Sequence, residues 1–461
     1  MFDVIVERFL AQSPVTVMAR LALARAFEHA WVDETFRACR DKQYERELLF
    51  STVVDLMSLV VLGLRPSLHA AAQKSEIPVS VQSLYRKVNR TEPSVLRALV
   101  QGSYRRFAPI RDCLPAANAK PLCKGYSLRI VDGNDLPASE KRLKPLRGFR
   151  GAAMPGQSLV VYDPDRDLVV DCLPWPDAHD HERGLMQHVF PSIEPGQLWV
   201  ADRGFSTSHI LLGFAERKAF LLVREHGRNP SPTEKGVRHQ VGRIESGMVF
   251  EQSVSIVDGE GGELLLRRIE IELDQPTEDG DMVIRLLTNM PKRVGACALA
   301  TLYRSRWQIE GMFGRLESVL QSELRTLGTP GGALLAFCLA TVAYNALSLL
   351  RASVEHAHPE CAQEPISTFY IALDIRESFV GLNIAVPDSY WAVYEPMSPA
   401  QLAATLATMA KRVAIRTLRK HPRPVKPKQK KGYAPANEAR RQVATSRVLK
   451  AGTVNYDKLH V

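Results

Sequence analysis

The sequence predicts an α+β fold, a mixed sheet flanked by helices, with a helical N-terminal region and a β-rich insertion. Residues 1–120 carry apolar side chains at helical spacing, as in LALARAFEHAWVDETFRAC, and contain no long strand pattern. From Tyr126 the pattern changes to short apolar runs bounded by turn residues. Residues 226–295 add further strand-like runs between turns rich in Gly, Asp and Pro, such as VDGEGGE. The insertion therefore lies between the last core strand and the helices that follow.

The order of the elements after Tyr126 defines the core further. The runs YSLRIV, SLVVY and LVVDCL predict three antiparallel strands, and the turn DPDRD joins the last two. A helix over 182–189, a strand LWVA that ends before Asp202, a second helix and a strand FLLV follow. This is the order of the ribonuclease H-like fold, in which the first and fourth strands are neighbours. Asp132 and Asp202 are then expected at the ends of adjacent strands, where a shared metal site can form.

These patterns predict six regions. They are a helical region (1–120), the first part of a ribonuclease H-like core (121–225), a β-rich insertion (226–295), helices that complete the core (296–355), a C-terminal helical region (356–410) and a basic tail (411–461).

The composition is that of an ordinary soluble chain, with 461 residues, 45% of them hydrophobic and 24% charged. The first residues, MFDVIVERFLAQ, carry charges and do not resemble a signal peptide, so the cytoplasm is the expected location. The uncharged run 334–350 reaches the lower length limit of a membrane span, but a buried helix of a large domain reads the same way and is favoured. The 7 cysteines form no CxxC pair, which argues against a zinc site or a disulfide framework.

The net charge of +10 is concentrated between Lys411 and Lys431, where the chain has Lys and Arg but no acid. One interpretation is a solvated tail, and the other is a segment that contacts DNA phosphates. Prolines at 422, 424 and 427 favour an extended arm in its second half. The candidate contacts in its first half are Lys411, Arg412, Arg416, Arg419 and Lys420.

A second DNA-binding candidate lies in the N-terminal region. Residues 67–90 can form a helix, a turn and a second helix that starts after Ser80, with Arg86, Lys87 and Arg90 exposed. Plain packing within a helical bundle is the alternative. Arg147, in a basic group beyond the first core strand, can contact DNA or be merely solvated.

The segment YRSRWQIEGMFGRLE, residues 303–317, has the pattern of a helix with two functional faces. At about 100° per residue, one sector carries Tyr303, Arg306, Glu310 and Glu317. The neighbouring sector is apolar and is expected to pack on the sheet, which leaves Glu310 facing the two aspartates. Core packing is the favoured use of Trp307, and stacking on a base is the alternative.

Three motifs in this order resemble the DDE transposases of the insertion-sequence-four family. They are DGN at 132–134, ADRGF at 201–205 and Tyr303-x2-Arg306-x3-Glu310, and the likeness extends over 126–350. The resemblance implies that Asp132, Asp202 and Glu310 bind two divalent ions, Mg²⁺ or Mn²⁺. It also implies that residues 1–120 are a helical DNA-binding region and that 296–355 are catalytic-core helices. The protein would then be the transposase of a bacterial insertion sequence that binds double-stranded transposon ends and target DNA near the nucleoid, as a homodimer in the DNA complex.

The chemistry agrees with these residue types. Two ions held by hard carboxylate oxygens can activate an attacking oxygen and stabilise a leaving one. Arg306, as a planar fork, and Tyr303, as a hydroxyl donor, are suited to a phosphate. The sequence departs from the family at Glu317, where the YREK signature has Lys. A ribonuclease H-like nuclease or resolvase, and a DNA-binding regulator derived from a transposase, are the alternative functions.

Other acidic groups are weaker metal candidates. Asp163, Asp165 and Asp167 resemble the start of a calcium loop, but Leu168 stands where Gly is needed, and a hairpin turn is favoured. The stretch DAHDHE at 177–182 indicates a polar loop that caps a helix. Asp135 is a substitute ligand candidate.

Overall fold

The computed structural model describes residues 2–115, 120–147, 151–227, 230–257, 262–277, 280–420 and 442–452. Its architecture is a large mixed sheet with helices packed against it, as the sequence predicts. This arrangement is compatible with a ribonuclease H-like fold.

The described part of the N-terminal region is helical. Its helices are α1 (Phe2–Gln12), α2 (Pro14–Ala26), α3 (His29–Cys39), α4 (Phe50–Val61), α5 (Leu68–Gln73), α6 (Val81–Asn89) and α7 (Pro93–Asp112). The Ser80 hydroxyl accepts a hydrogen bond from Ser83 N at 3.2 Å and so starts α6 where the sequence predicts. The helix, turn and helix of 67–90 are therefore present.

The core strands and helices follow the predicted order, with one short strand added. They are β1 (Leu128–Asp135), β2 (Ala152–Met154), β3 (Gln157–Asp163), β4 (Leu168–Trp175), α8 (Glu182–Val189), β5 (Leu198–Ala201), α9 (Ser208–Glu216) and β6 (Phe220–Arg224). The strands β1, β3 and β4 are antiparallel neighbours, and β1 pairs in parallel with β5, with Leu128 opposite Leu198. The segment DPDRD is the β3–β4 turn.

The inserted strands extend the same sheet. They are β7 (Thr233–Glu234), β8 (His239–Ile244), β9 (Gly247–Val257), β10 (Glu263–Leu273) and β11 (Val283–Thr288). β11 pairs with β6, so the main path of the sheet is β4-β3-β1-β5-β6-β11-β10-β9-β7, with β8 beside β9. Ion pairs between Arg267 and Glu251, at 2.8 Å, and between Arg268 and Glu225, at 2.9 Å, tie this part together.

The segment 303–317 is not one continuous helix. α10 (Ala296–Tyr303) ends at Tyr303, a 3-10 turn occupies 304–306, and α11 (Trp307–Val319) follows. α10 packs against the inserted strands, whereas α11 packs against β1 and a later helix, so the turn redirects the chain between two partners. Of the predicted apolar sector, Ile309, Met312, Leu316 and Leu320 are buried and Phe313 is half-buried.

α12 (Pro330–Ala357) is the central helix of the molecule. Within the described chain it is long and apolar enough to cross a membrane by length and composition, yet its apolar window is wholly buried in the protein. The polar Asn345 within it is fully satisfied: its side chain accepts from Val169 N at 2.8 Å and donates to Val169 O at 3.0 Å and to Ser103 Oγ at 2.9 Å. α12 thus reads as a core helix.

The first C-terminal elements pack around α12, and the last ones contact the core near β2. They are α13 (Thr368–Ala385), α14 (Asp388–Trp391), α15 (Pro399–Ala410), α16 (Ile415–Leu418), β12 (Gln442–Ala444) and α17 (Thr445–Ala451). β12 pairs with β2, and Arg447 of α17 binds Asp177 at 2.8 Å. The three prolines of the basic segment and its residues 421–431 lie outside the described residues.

Candidate active site

Two aspartates lie at one edge of the sheet because β1 and β5 run in parallel. Asp132 lies two residues after Ile130, the last residue of β1 that pairs with β5, and Asp202 follows the last residue of β5. Asp132 accepts a hydrogen bond from Gly133 N at 3.0 Å, and Asp202 accepts one from Gly204 N at 2.7 Å. The two aspartates thus lie on neighbouring strands, as the sequence predicts.

Arg306 links the third carboxylate to the first. Its Nη1 lies 3.3 Å from Asp132 Oδ2, and its Nη2 lies 3.1 Å from Glu310 Oε1. Arg306 is mostly buried, with 13% of its side chain exposed, and it also lies 4.9 Å from the centre of the Trp307 ring. Trp307 itself is 63% exposed, so the expectation of core packing for this residue is wrong.

The electrostatics of Asp132 reflect first its burial and then the charges around it. Burial, together with the charges of Asp202 and Glu310, raises the pKa of Asp132 to about 6, although Arg306 and the Gly133 amide act in the opposite direction. A carboxylate with this pKa gains from any further positive charge placed beside it.

Tyr303 ends α10 next to these groups. Burial, with added effects of Asp202 and Asp132, raises the pKa of Tyr303 to about 12, and Arg306 opposes the shift. Tyr303 is therefore a neutral hydroxyl at physiological pH, able to donate a hydrogen bond. Tyr303 and Arg306, the two predicted phosphate-binding residues that precede Glu310, thus lie near the aspartates.

The structure adds a fourth acid, Glu182, the first residue of α8. A Cβ built on Gly133 would lie only 1.8 Å from Glu182 Oε1, so the carboxyl group covers the residue next to Asp132. Burial, then the charges of Asp132, Asp202 and Asp135, raise the pKa of Glu182 to about 7. Glu182 ends the stretch DAHDHE, but nothing in its spacing distinguishes it from a residue at a helix start.

Glu182 and Arg306 approach β1 from opposite faces. Ile130 belongs to the core that contains α11, and Val131 belongs to the core that contains α8. Because side chains alternate along a strand, Asp132 faces α11 and Gly133 faces α8.

The remaining acids of the sequence analysis have other surroundings. Asp163 is paired with Arg129 at 3.0 Å and Asp167 with Arg315 at 2.9 Å, both within the β3–β4 turn. Asp135 is exposed at the end of β1, and its pKa is raised by partial burial.

Glu317 lies on the exposed side of α11. In the described part of the chain no cation pairs with it, and burial followed by the charge of Glu317 raises the pKa of nearby Glu323. Arg315 is bound to Asp167 and Tyr344, so it does not compensate Glu317.

The N-terminal basic candidates differ in availability. Arg86 and Arg90 are exposed, but Lys87 turns inward, where its Nζ donates to Tyr44 O at 3.2 Å and lies 4.6 Å from the Phe36 ring centre. Burial accordingly lowers the pKa of Lys87. Of the three, Lys87 is the one whose side chain already has contacts within the protein.

The C-terminal basic residues are all exposed, and two of them are paired. Arg412 binds Glu7 at 2.7 Å, and Arg419 binds Glu364. Among the described residues the side chains of Lys411, Arg416 and Lys420 have no partner. Arg147 is exposed and donates to the carbonyl of Arg142 at 3.4 Å.

The donors fit a hard divalent cation in kind, since all are carboxylate oxygens. Over the described ranges, no three His, Cys, Asp or Glu side chains already surround one point. The guanidinium of Arg306 lies between Asp132 and Glu310 and provides the positive charge that a cation would provide there. Closing these acids on a cation therefore requires Arg306 to change partners.

Comparisons with known proteins agree with this geometry. Residues 124–346 match the family described as "Transposase DDE domain". The chain is 30% identical over 191 residues to "Putative transposase y4zB" of Sinorhizobium fredii. The matched residues are 40% of this chain and 50% of that protein. The chain thus matches about half the length of that relative. Both findings support a DDE transposase.

Proposed function

We propose that this chain is the transposase of a bacterial insertion sequence, which cuts DNA at the transposon ends and joins them to target DNA. The observation that carries the proposal is the link of Asp132 to Glu310 through Arg306, with Asp202 after the neighbouring strand, within the region that matches the transposase DDE domain. The spacing Tyr303-x2-Arg306-x3-Glu310 supports membership of the insertion-sequence-four family, and the strand order supports a ribonuclease H-like core.

The three acids are proposed to hold two Mg²⁺ or Mn²⁺ ions. When bound, such ions activate the attacking oxygen and stabilise the leaving oxygen of a phosphodiester. Asp132 and Asp202 provide oxygen donors from the sheet, and Glu310 provides them from α11. The raised pKa of Asp132, caused first by burial and then by the neighbouring acids, supports this role, because a cation would stabilise the charged form of this carboxylate.

Arg306 and Tyr303 are proposed to hold the phosphate beside the acids. Arg306 would exchange its contacts with Asp132 and Glu310 for the phosphate oxygens, for which its planar fork is well suited. Tyr303 would donate its hydroxyl proton to the same group, since it remains neutral. The positive charge of Arg306 would then neutralise DNA phosphate instead of the two carboxylates.

DNA is proposed to extend from this edge onto the basic surfaces. Arg86 and Arg90 on the N-terminal region, and Lys411, Arg416 and Lys420, are exposed and available for phosphates. Two protomers would hold two transposon ends in a homodimer. The proposed location is the cytoplasm, at the nucleoid.

Two alternative functions share part of this machinery. A ribonuclease H-like nuclease or resolvase would use the same carboxylates, and a transposase-derived regulator would keep DNA binding without cutting. The acids and the phosphate-binding pair are all retained here, which favours the transposase over the regulator.

Purified protein incubated with a linear DNA that carries the ends of its own element tests the proposal. With Mg²⁺ or Mn²⁺ we expect cuts at the element ends and, with target DNA, joined products. With chelator both should vanish. Cutting without joining would favour the nuclease, and binding without cutting would favour the regulator.

A further inference from the structure

The carboxyl group of Glu182 is aimed at the edge of the sheet where the catalytic candidates meet. A Cβ at Gly133 would fall 1.8 Å from Glu182 Oε1 and 2.1 Å from its Cδ, so the group occupies the space that any other residue at 133 would fill. Gly133 is next to Asp132 and faces α8. The approach of Glu182 therefore depends on a glycine at this position.

A position at a helix start does not explain this placement. An acid in the first turn stabilises a helix through its dipole while remaining in water. Glu182 is instead partly withdrawn from water, and its charge interacts unfavourably with Asp132 and Asp202. In the described part of the chain its carboxylate has no hydrogen-bond or ion-pair partner. An unpaired acid brought toward two others costs stability unless it is protonated or a cation is shared among them.

The geometry points to Glu182 as a fourth carboxylate of the active site, contributing to divalent-cation binding alongside Asp132 and Asp202. This inference rests on the proposed function, because it assumes that the edge binds cations. It extends the donor set to α8, so that acids approach the site from both faces of β1, Glu310 from one and Glu182 from the other.

Cation binding by the DNA-free protein tests the inference without any measurement of activity. Mn²⁺ affinity is measured by calorimetry for the wild type, Glu182→Gln, Asp132→Asn and Glu216→Gln, the last being an exposed acid on α9. We expect Glu182→Gln and Asp132→Asn to weaken Mn²⁺ binding by about 10-fold or more, and Glu216→Gln to match the wild type. Because Gln is nearly isosteric, metal-free Glu182→Gln should melt at or above the wild-type temperature.

The outcomes separate the two proposals. If Asp132→Asn weakens Mn²⁺ binding but Glu182→Gln does not, the role of Glu182 is overturned and the proposed metal site stands. If neither variant weakens binding, the proposed metal site itself is overturned. A metal-free Glu182→Gln that melts well below the wild type would assign Glu182 a purely structural role.

A pair of glycine variants moves the same carboxylate without changing any charge. Gly133→Ala places a methyl group where Glu182 Oε1 lies and should weaken Mn²⁺ binding, although every acid is retained. Gly184→Ala is the matched control, since its added methyl on α8 meets nothing within 4 Å. Equal Mn²⁺ affinity in both variants would show that the approach of Glu182 over Gly133 does not matter for the cation.

Discussion

Arg306 and Asp132, which lie 174 residues apart in the chain, form an ion pair with Nη1 and Oδ2 separated by 3.3 Å. The other side of the same guanidinium binds Glu310, so one cation holds α11 against β1. The residue proposed to bind DNA phosphate thus first neutralises the acids proposed to bind metal. Substitutions that change the charge at Arg306, Asp132 or Glu310 should therefore alter the site.

The first prediction concerns the three acids. Asp132→Asn, Asp202→Asn and Glu310→Gln should each reduce DNA cleavage by about 1000-fold, or about 4 kcal/mol, because each removes a charged oxygen donor from the proposed ions. Binding to end DNA should remain nearly intact, since it depends on other surfaces. Cleavage and gel-shift assays on the same preparations check both. Wild-type cleavage by any one variant would remove that residue from the site.

Removing Arg306 should destabilise the metal-free protein. Arg306→Ala leaves the mostly buried carboxylate of Asp132 and the exposed one of Glu310 without their partner, at an expected cost of about 1 to 3 kcal/mol in the free energy of unfolding, mainly from Asp132. Added Mg²⁺ should recover part of this loss, because a cation can replace the guanidinium. Denaturant unfolding with and without Mg²⁺ measures both effects. Arg351→Ala is the control: it removes a guanidinium that lies 3.3 Å from Asp167, in another part of the protein. This variant should show no recovery of stability with Mg²⁺.

The raised pKa of Asp132 predicts a dependence of stability on pH. Its pKa is about 6 in the folded protein and 3.8 in a reference peptide, so the folded state binds more protons between these values. Stability should therefore fall as pH rises from about 4 to above 6, by at most about 3 kcal/mol from this group. The difference in unfolding free energy between the wild type and Asp132→Asn, measured at pH 5 and pH 8 without metal, isolates the effect. A constant difference would contradict the raised pKa.

Much of the core was predictable because its patterns are local. Apolar runs and turn residues gave the strand and helix order, and the parallel pairing of β1 with β5 follows from that order. The placement of Asp132 and Asp202 on neighbouring strands could thus be inferred from the sequence alone. Each aspartate directly follows an apolar run that predicts its strand, so no distant contact has to be known.

The features that escaped prediction depend on packing between distant segments. Periodicity treats 303–317 as one helix, whereas α10 and α11 pack on different partners and a 3-10 turn separates them. Glu182 faces the site only because α8 packs over Gly133, which no spacing reveals. The exposure of Trp307 likewise reflects the direction of α11 after the turn.

The exposed basic residues at 411–420 allow a test of DNA contact that spares the fold. Deleting this segment would remove the buried Val413 and Leu418, so substitution is preferable. Changing Lys411, Arg416 and Lys420 to Gln should weaken binding to specific and random DNA alike. The slope of log affinity against log salt should fall by about 0.9 for each lost phosphate contact.

The matched control for this triple variant keeps every charge. Lys411→Arg, Arg416→Lys and Lys420→Arg together should retain the wild-type salt slope. An unchanged slope in the Gln variant would indicate that these side chains are only solvated.

The last prediction concerns Glu317, where the signature of the proposed insertion-sequence-four family has Lys. Glu317 is exposed on α11, the helix that carries Glu310, and among the described residues no cation neutralises it. Arg315 is held by Asp167 and Tyr344 and cannot take the place of the missing Lys. A carboxylate at this point would repel the phosphate backbone of a bound transposon end. Glu317→Lys should therefore raise strand transfer several-fold and tighten binding to precleaved ends.

The control is Glu377→Lys, which makes the same charge change at an exposed acid on α13. This variant should leave strand transfer unaltered. If Glu317→Lys gives no gain over Glu377→Lys, the phosphate is held from another position.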